Sequence, residues 1–316
     1  MLTGLHMPEL AWLLAAGVAL DLLLGEARRW HPLVGFGRIA QALEARLNRG
    51  RARIGRGLAG WSLLVAPPVA LSWWLAAHWG IAVHVLLLYF ALGLRSLREH
   101  TLPIFEALRA GDLPAARTLT GRIVSRDTAD ATSSDLARAG AESLLENGND
   151  AVFGTLFWFL VAGGPGALLF RLSNTLDAMW GYRSERYNLF GRVAARADDL
   201  LNLVPARLTA LSYLLLAPPG GGSVRAWRCW RRQARTWDSP NAGPVMASGA
   251  GALGIALGGP ARYAGTLEQR PVLGGGRRAA PVDIPRAWRL VLLSTLLWLA
   301  LAGAVAAVVA FGGHHA

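Results

Sequence analysis

The sequence contains no lysine. All 32 basic residues are arginine, and 20 carboxylates leave a formal charge of +12. A Walker A loop, a Schiff-base enzyme and a pyridoxal-phosphate enzyme each need a lysine at the reacting centre, so all three classes are excluded. The single cysteine, Cys229, also excludes an intramolecular disulfide framework and a zinc site built from several thiolates.

Charge of either sign is scarce. Only 16% of the 316 residues are charged, against roughly 25% in an average soluble domain. Hydrophobic residues make up 53% of the chain, and the mean hydropathy is +0.34. This composition predicts an all-α polytopic integral membrane protein with one membrane-embedded domain over residues 1–316. We expect about four to six embedded helices, including broken or re-entrant elements, with helical loops on the cytoplasmic side.

Three spans are clear. Residues 290–311 form a run of 22 residues without a charge, enough to cross about 30 Å of hydrocarbon as a helix. The stretch 58–94 has no Arg, Asp or Glu and is too long for one crossing. Because His78-Trp79-Gly80 interrupts it, we predict a helical hairpin with spans at 58–77 and 79–94.

Three weaker segments are interpreted as spans or re-entrant elements: 10–24, 151–170 and 200–217. The second contains Gly163-Gly164-Pro165-Gly166, which a regular helix does not tolerate. The third contains Arg207, so an interfacial helix with a snorkelling arginine is an equal alternative to a span.

Arginine distribution predicts the orientation. The segment 25–57 has eight arginines against Glu26 and Glu44, and basic loops near span ends tend to stay cytoplasmic. We therefore expect a multi-pass protein of the cell inner membrane. Most polar motifs, in the regions 95–150, 171–199 and 218–289, are then expected to face the cytoplasm.

One short helix, predicted on the surface at 134–147, places three charged side chains on one face. Arg138, Glu142 and Glu146 follow each other at intervals of four residues. Together with Asn147 and Asp150, they could bind a metal or an ammonium group. A solvated face with an Arg–Glu pair is the alternative, and it is the more common outcome of such a pattern.

The stretch 171–207 has many charged and polar side chains for a segment of a membrane protein. It offers oxygen ligands that suit Mg²⁺: Asn174, Asp177, Glu185, Asp198 and Asp199. It also offers forked donors for phosphate or carboxylate: Arg183, Arg186, Arg192, Arg196 and Arg207. Adjacent Asp198 and Asp199 cannot share a helix face, so at most one is expected to be a direct ligand. A polar inter-helix loop and an anion or metal site fit this stretch equally well.

Two further patterns have simpler interpretations. Residues 224–237 alternate tryptophan and arginine at near-helical spacing, which predicts a helix on an anionic leaflet. No nucleic-acid recognition signature accompanies these charges, so no nucleic-acid partner is expected. GAGALG at 249–254 matches GxGxxG, but no strand is predicted before it, so close helix packing is the better explanation.

Taken together, five ordered blocks resemble the adenosylcobinamide-phosphate synthase family, the CobD/CbiB membrane proteins of cobalamin biosynthesis. They are WHPLVGFGR from Trp30, VSRDT from Val124, AESLLENGNDAVFGTLFW from Ala141, NTLDAMWGYRSERY through FGRVAARADDLLNLVPARLTAL from Asn174, and SPNAG from Ser239. The resemblance extends from about Asp21 to about Asp283. The chain departs from the family at Glu26-Ala27, where Asp-Pro is usual, and it lacks the proline usually found before LFW.

The resemblance implies amide synthesis. The ring D propionate of adenosylcobyric acid, a corrinoid substrate, would be joined to (R)-1-aminopropan-2-ol O-phosphate or to free aminopropanol, with ATP and Mg²⁺. Other cobalamin-pathway membrane enzymes and anionic membrane lipids are further expected partners. A membrane transporter and a non-catalytic scaffold for other cobalamin enzymes are the alternatives.

On that basis the clustered residues receive roles. Asp177, Asp198 or Asp199 would hold Mg²⁺, while Arg183, Arg186 and Arg196 would bind phosphate or the corrinoid carboxylate. Glu142 or Glu146 would position or deprotonate the amine. Asp177 and Arg183 are also expected in the catalytic set. The remaining substrate contacts are expected from Tyr182, Tyr187, Asn147, Asp150, Asn174, Arg207, Ser239 and Asn241.

Overall fold

The computed structural model describes residues 4–26, 32–263 and 265–312, so His31 of the first block lies outside the described residues. The α-helices in this part of the chain are α1 Met7–Leu24, α2 Pro32–Leu47, α3 Arg53–Trp79, α4 Ile81–Ala91, α5 Leu94–Arg109, α6 Leu113–Thr120, α7 Ser133–Gly148, α8 Gly154–Trp180, α9 Arg192–Leu201, α10 Leu203–Leu215, α11 Gly222–Gln233, α12 Ala242–Leu253 and α13 Asp283–Gly312. A π-helical turn covers Asn149–Phe153, and a 3₁₀ turn covers Ala234–Thr236.

Five helices of the described chain are long and apolar enough to cross a membrane: Met7–Leu24, Arg53–Trp79, Ile81–Arg109, Ser133–Trp180 and Asp283–Phe311. This confirms the all-α polytopic fold. The chain turns at Gly80, between α3 and α4, as the predicted hairpin requires. The second apolar helix, Ile81–Arg109, includes α4, which has 11 residues, and α5. In contrast, α10 has only 13 residues, fewer than the roughly 20 that a transmembrane helix needs.

Not all of the 48-residue helix Ser133–Trp180 has a membrane composition. Its first part, α7, carries Asp135, Arg138, Glu142 and Glu146 within 16 residues. The apolar part comes after the π-helical turn, in α8. We therefore place the membrane-spanning segment in α8 and α7 outside it.

The chain divides into two compact units. Unit 1 comprises residues 1–93, 150–202 and 299–316, and unit 2 comprises 94–149 and 203–298. In unit 1, α3, α4 and α9 pack on α8, and a core forms around Leu172, Leu176, Trp180 and Phe190.

The expected break in segment 151–170 is confirmed. Ala162 and Gly163 have non-helical backbone angles, and Gly163 has a φ of +63°, which glycine adopts at little cost. Helix α8 is therefore two helical pieces that join at this point.

Unit 2 combines helices with short strands. Strand β1 (Ile255–Gly258) pairs antiparallel with β4 (Val272–Gly274) and parallel with β5 (Arg277–Arg278), while β2 (Ala261–Tyr263) and β3 (Thr266–Glu268) form a hairpin. No strand was predicted here. Each strand has only two to four residues, too few for an alternating apolar pattern.

The GAGALG segment ends α12, as the helix-packing interpretation predicts. A Cβ on Gly251 would fall 2.7 Å from the Cα of Ala226 on α11, and a Cβ on Gly249 would fall 2.8 Å from Leu145 on α7. Glycine lets the three helices approach this closely. The pattern therefore reflects packing, not dinucleotide binding.

Candidate active site

Helix α7 is largely buried, so the expectation of a surface helix with a solvated charged face is wrong. Helices α5 and α6 pack on it, and so do α12 and β1. The helix begins with a capping box: the Thr132 hydroxyl accepts from the Asp135 N–H, and the Asp135 carboxylate accepts from the Thr132 N–H. Small residues and leucines fill the buried surface, and the charged face points into the protein.

On this face Glu142 is buried and fully engaged. Its Oε1 accepts a hydrogen bond of 2.6 Å from the Gly258 N–H, and its Oε2 accepts from the Arg126 guanidinium. Nη2 of Arg270 lies 3.5 Å from Oε1. The side chains of Glu142, Arg126 and Arg270 are only 6%, 10% and 17% exposed, so this charge cluster is shielded from water.

Beside this cluster is a cavity of about 170 Å³. Its lining includes Glu142, Glu146, Asn147, Arg126, Arg270, Ser143 and Tyr263. Nη1 of Arg126 and Nη2 of Arg270 are buried and have no hydrogen-bond acceptor among the described residues. Buried donors of this kind are uncommon, because an unsatisfied charged donor is costly. They suit an oxygen of an anionic ligand.

Glu146 is the second carboxylate of the cavity. Its carboxylate has no hydrogen-bond partner within the described part of the chain, and the residue is half-buried. Burial raises the pKa of Glu146 to about 7, and the negative charge of Glu142 adds to this, while Arg270 and Arg126 oppose it. A carboxylate with this pKa exchanges a proton near neutral pH, which is what a general base needs.

Two chain segments bring the arginines to Glu142. Asp127, next to Arg126, accepts from the Gly265 N–H at 2.7 Å and donates its own N–H to the Arg262 carbonyl at 2.8 Å. These bonds hold the β2–β3 hairpin, which leads directly to Arg270. The Arg270 guanidinium also lies over the rings of Trp237 and Tyr263, at 5.5 and 6.0 Å.

The other catalytic candidates lie in unit 1. Asp177 lies in the last turn of α8, and Arg183 follows in the loop to α9. Asp198 is buried and accepts hydrogen bonds from Asn174 at 3.2 Å and from Asn202 at 3.0 Å. Burial raises the pKa of Asp198, and the two amide bonds oppose that shift.

Asp199 occupies a different environment from its neighbour, as adjacent helical positions require. Burial raises the pKa of Asp199, and the charges of Arg196 and Arg183 counteract this. The structure therefore brings Arg183, Arg196 and Asp199 close together. Asp198 instead faces the amides of Asn174 and Asn202.

The carboxylates of Asp177, Asp198 and Asp199 do not converge on one metal position. Within residues 4–26, 32–263 and 265–312 no group of three or more His, Cys, Asp or Glu side chains could hold a metal ion. Both oxygens of Asp198 already accept amide hydrogen bonds. A resident Mg²⁺ bound by Asp177, Asp198 and Asp199 together does not fit this geometry. Contact of one of them with the magnesium of a bound nucleotide stays a prediction.

Arg186 is paired with Glu44. Its Nε donates to Oε1 at 3.1 Å and its Nη2 to Oε2 at 2.6 Å, while Asn48 donates to the same carboxylate. The hydrogen bond from Arg186 holds the pKa of Glu44 below its ordinary value. The Arg186 guanidinium also lies 5.3 Å from the ring centre of Tyr187. Tyr182, earlier in the same loop, is exposed.

The remaining candidates are divided between the units. In unit 2, Arg207 donates to the Asn241 side chain and to the Pro240 carbonyl, and Ser239 accepts from the N–H groups that begin α12. Asn147 donates to Ser143 at the rim of the small cavity. Asp150 belongs to unit 1, in the π-helical turn. The roles of these residues stay predictions.

Comparison with known proteins decides the family. A family model described as CobD/Cbib protein matches residues 14–291. The chain belongs to the CobD/CbiB family. It is 54% identical to the "Cobalamin biosynthesis protein CobD" of Chromobacterium violaceum, over 97% of this chain and 99% of the relative. The proteins of the same name from Stutzerimonas stutzeri and Mycobacterium tuberculosis are 55% and 42% identical, over 89% and 86% of this chain and 92% and 88% of their own. No solved structure matches.

Sequence reasoning about this CobD/CbiB chain missed two residues of the buried cluster. Arg126 lies in the VSRDT block but received no role, although it pairs with Glu142 of the next block. Arg270 lies between short strands in a segment without a motif. Only the fold shows that it reaches Glu142.

Proposed function

We propose that this CobD/CbiB chain is an ATP-dependent amide-forming ligase of cobalamin biosynthesis. It joins (R)-1-aminopropan-2-ol O-phosphate, or free aminopropanol, to the ring D propionate of adenosylcobyric acid, giving adenosylcobinamide phosphate or adenosylcobinamide. The observation that carries the proposal is a cavity lined by Glu146 and by Arg126 and Arg270, each of which has a buried guanidinium nitrogen without a hydrogen-bond acceptor among the described residues. Amide formation needs both features: donors for a carboxylate oxygen and a base for the amine.

The reaction has two steps in this proposal. A propionate oxygen attacks the γ-phosphorus of ATP, which forms an acyl phosphate and releases ADP. The amine nitrogen then attacks the carbonyl carbon, loses a proton and expels inorganic phosphate. Mg²⁺ enters as part of the MgATP substrate, where it neutralises phosphate charge.

The side chains of the cavity have separate tasks. Arg126 and Arg270 bind the carbonyl oxygen, on which negative charge develops when the amine attacks. Glu142 fixes both guanidinium groups and so acts as a positioning residue. Glu146 accepts the proton of the amine. The cavity is smaller than the roughly 300–1,000 Å³ of sites that enclose whole ligands, so it admits only the reacting ends of the substrates.

The cell inner membrane is the proposed location, with the site on the cytoplasmic side. The segment 25–57 supports this through its arginine content. Anionic lipids are proposed to contact the arginine-rich helix α11, and Trp227 is exposed there. Association with other membrane enzymes of cobalamin biosynthesis is proposed as well.

A transporter is the second candidate, and the break in α8 is the observation that favours it. Discontinuous helices often line the substrate paths of transporters. A non-catalytic scaffold for other cobalamin enzymes is the third candidate from the sequence, and no feature of the structure favours it.

One assay separates these candidates. Detergent-purified full-length protein is incubated with adenosylcobyric acid, aminopropanol phosphate, ATP and Mg²⁺, and the corrinoid mass is followed. We expect a gain equal to aminopropanol phosphate less one water, together with ADP. Uptake of corrinoid into sealed vesicles without a mass change would instead support transport. If a well-folded sample shows neither amide formation nor uptake, the non-catalytic scaffold is the remaining candidate.

A further inference from the structure

Unit 2 has a second, larger cavity that the proposed chemistry does not yet use. It is a groove of about 600 Å³ along α11, the 3₁₀ turn and the start of α12. We define the tryptophan groove by the side chains Arg207, Trp230, Arg231, Arg235, Trp237 and Asp238. Three guanidinium groups face one carboxylate, so the groove has an excess of positive charge.

We propose that the tryptophan groove binds the nucleoside triphosphate, with the phosphates on the arginines and the base against the tryptophans. This inference rests on the proposed function. The groove volume is within the roughly 300–1,000 Å³ of sites that enclose a small ligand. Guanidinium groups bind phosphate oxygens through paired hydrogen bonds, and indole rings stack with bases. The groove therefore matches both ends of a nucleotide.

The position of Trp237 supports the assignment. Its side chain borders the tryptophan groove, and the Arg270 guanidinium lies 5.5 Å from its ring centre. The same guanidinium lies 3.5 Å from Glu142. The tryptophan groove and the reaction cavity are therefore neighbours, and the side chains of Trp237 and Arg270 lie between them.

A second groove on α11 provides a matched comparison. It measures about 520 Å³, and its arginines are Arg225, Arg228 and Arg232. It has no aromatic side chain in its lining, which otherwise consists of glycines, Val224, Cys229 and Gln233. Charge alone would favour the second groove, whose three arginines have no carboxylate in the same lining. Base recognition favours only the tryptophan groove.

The test measures nucleotide binding, not turnover. Full-length protein is placed in phosphatidylcholine nanodiscs, and binding of radiolabelled ATP is measured with Mg²⁺. Arg231→Gln/Arg235→Gln, on α11 and the following 3₁₀ turn, is compared with the control Arg228→Gln/Arg232→Gln, which removes the same amount of charge from α11. We expect the Kd for ATP to rise about tenfold or more in the first variant and to change less than about twofold in the control. Thermal melting confirms that both variants fold.

A third variant tests base recognition. Trp230→Leu should weaken ATP binding while inorganic triphosphate, used as a competitor, keeps its affinity. Equal losses for ATP and triphosphate, or no loss for either, would overturn the placement of the base. Equal effects of the two arginine pairs, or a larger effect of the control pair, would overturn the assignment of the groove.

A comparison of two lipid compositions distinguishes a nucleotide site from a site for the phosphate of a lipid headgroup. Nanodiscs that contain phosphatidylglycerol are compared with pure phosphatidylcholine. If Arg231→Gln/Arg235→Gln lowers phosphatidylglycerol retention but leaves ATP binding unchanged, the groove is a headgroup site and the inference is wrong. ATP binding without amide formation would refute only the proposed function. Amide formation with an unchanged KM for ATP in this variant would refute only the inference.

Discussion

The Arg270 guanidinium lies 3.5 Å from the Glu142 carboxylate, and its Nη2 has no hydrogen-bond acceptor among the described residues. Arg270, which lines the cavity, therefore pairs with a carboxylate and still has a nitrogen available to donate a hydrogen bond. Its charge also acts on Glu146, whose pKa it lowers.

Removal of the Arg270 charge should shift the pH dependence of amide formation. Glu146 must be deprotonated to accept a proton, so activity should rise with pH through about 7. Arg270→Gln removes a positive charge that lowers the pKa of Glu146, and the rising limb should move to higher pH. Rates measured from about pH 6 to 9 test this. Arg262→Gln, on the exposed side of the same hairpin, is the control. If the pH–rate profile of Arg270→Gln does not shift relative to that of the wild type, the role of Glu146 is contradicted.

Glu146→Gln should lower kcat by about 10²- to 10⁴-fold, because general base catalysis is lost. The KM for the corrinoid should change little, since Glu146 acts on the amine. Glu268→Gln, an exposed carboxylate on β3, is the control. Full activity of Glu146→Gln in steady-state assays would remove Glu146 from the mechanism.

Asp177→Ala and Arg183→Ala should each lower amide-forming activity by about tenfold or more, because each removes a charged group that is predicted to contact the substrate. Both lie at the junction of α8 and the following loop, in the densest matching block. The exposed Arg46 on α2 provides the control Arg46→Ala. If the purified variants keep full activity, their assignment as catalytic residues is wrong.

The Glu44–Arg186 pair should stabilise unit 1 in a pH-dependent way. The folded-state pKa of Glu44 is lowered, so its contribution is present above the unfolded pKa of about 4.5 and is lost as pH falls through the folded value. Arg186→Gln should lower the melting temperature at pH 7, and the difference from wild type should shrink towards about pH 4. Arg46→Gln, two residues from Glu44 on α2, should have no such effect; a pH-independent loss would point to another cause.

Gly251→Ala should destabilise unit 2, because the new Cβ would lie 2.7 Å from the Ala226 backbone. Overpacking of this kind typically costs about 1–3 kcal/mol. Gly303→Ala is the matched helical control, since nothing lies within 4 Å of its Cβ position. Thermal melting in detergent compares the two; equal melting temperatures would show that α11 and α12 can separate without cost.

Long apolar helices could be predicted because hydrophobicity and length act locally. Residues 58–94 form a hairpin that turns at Gly80, and the broken helix in 151–170 was visible from its glycines and proline. The strands between Ile255 and Arg278 could not be predicted, since their pairing depends on backbone contacts and not on a sequence period.

The same contrast holds for the site. The spacing of Glu142 and Glu146 predicted a shared helix face, but it could not show that this face is buried. Burial comes from α5, α6 and α12, which other parts of the sequence supply. Arg270 was missed for this reason: only tertiary packing makes it a neighbour of Glu142.

Glu142 has consequences for how the protein is made. One of its partners, the Gly258 N–H, lies 116 residues further along the chain. During synthesis Arg126 is available early as a partner of this buried carboxylate. The full set of its partners is present only after the ribosome has passed Arg270. Contacts of such sequence separation form slowly, because a long loop must close first. The reaction site is thus assembled in a late step of folding, and a chain that ends before Arg270 lacks it.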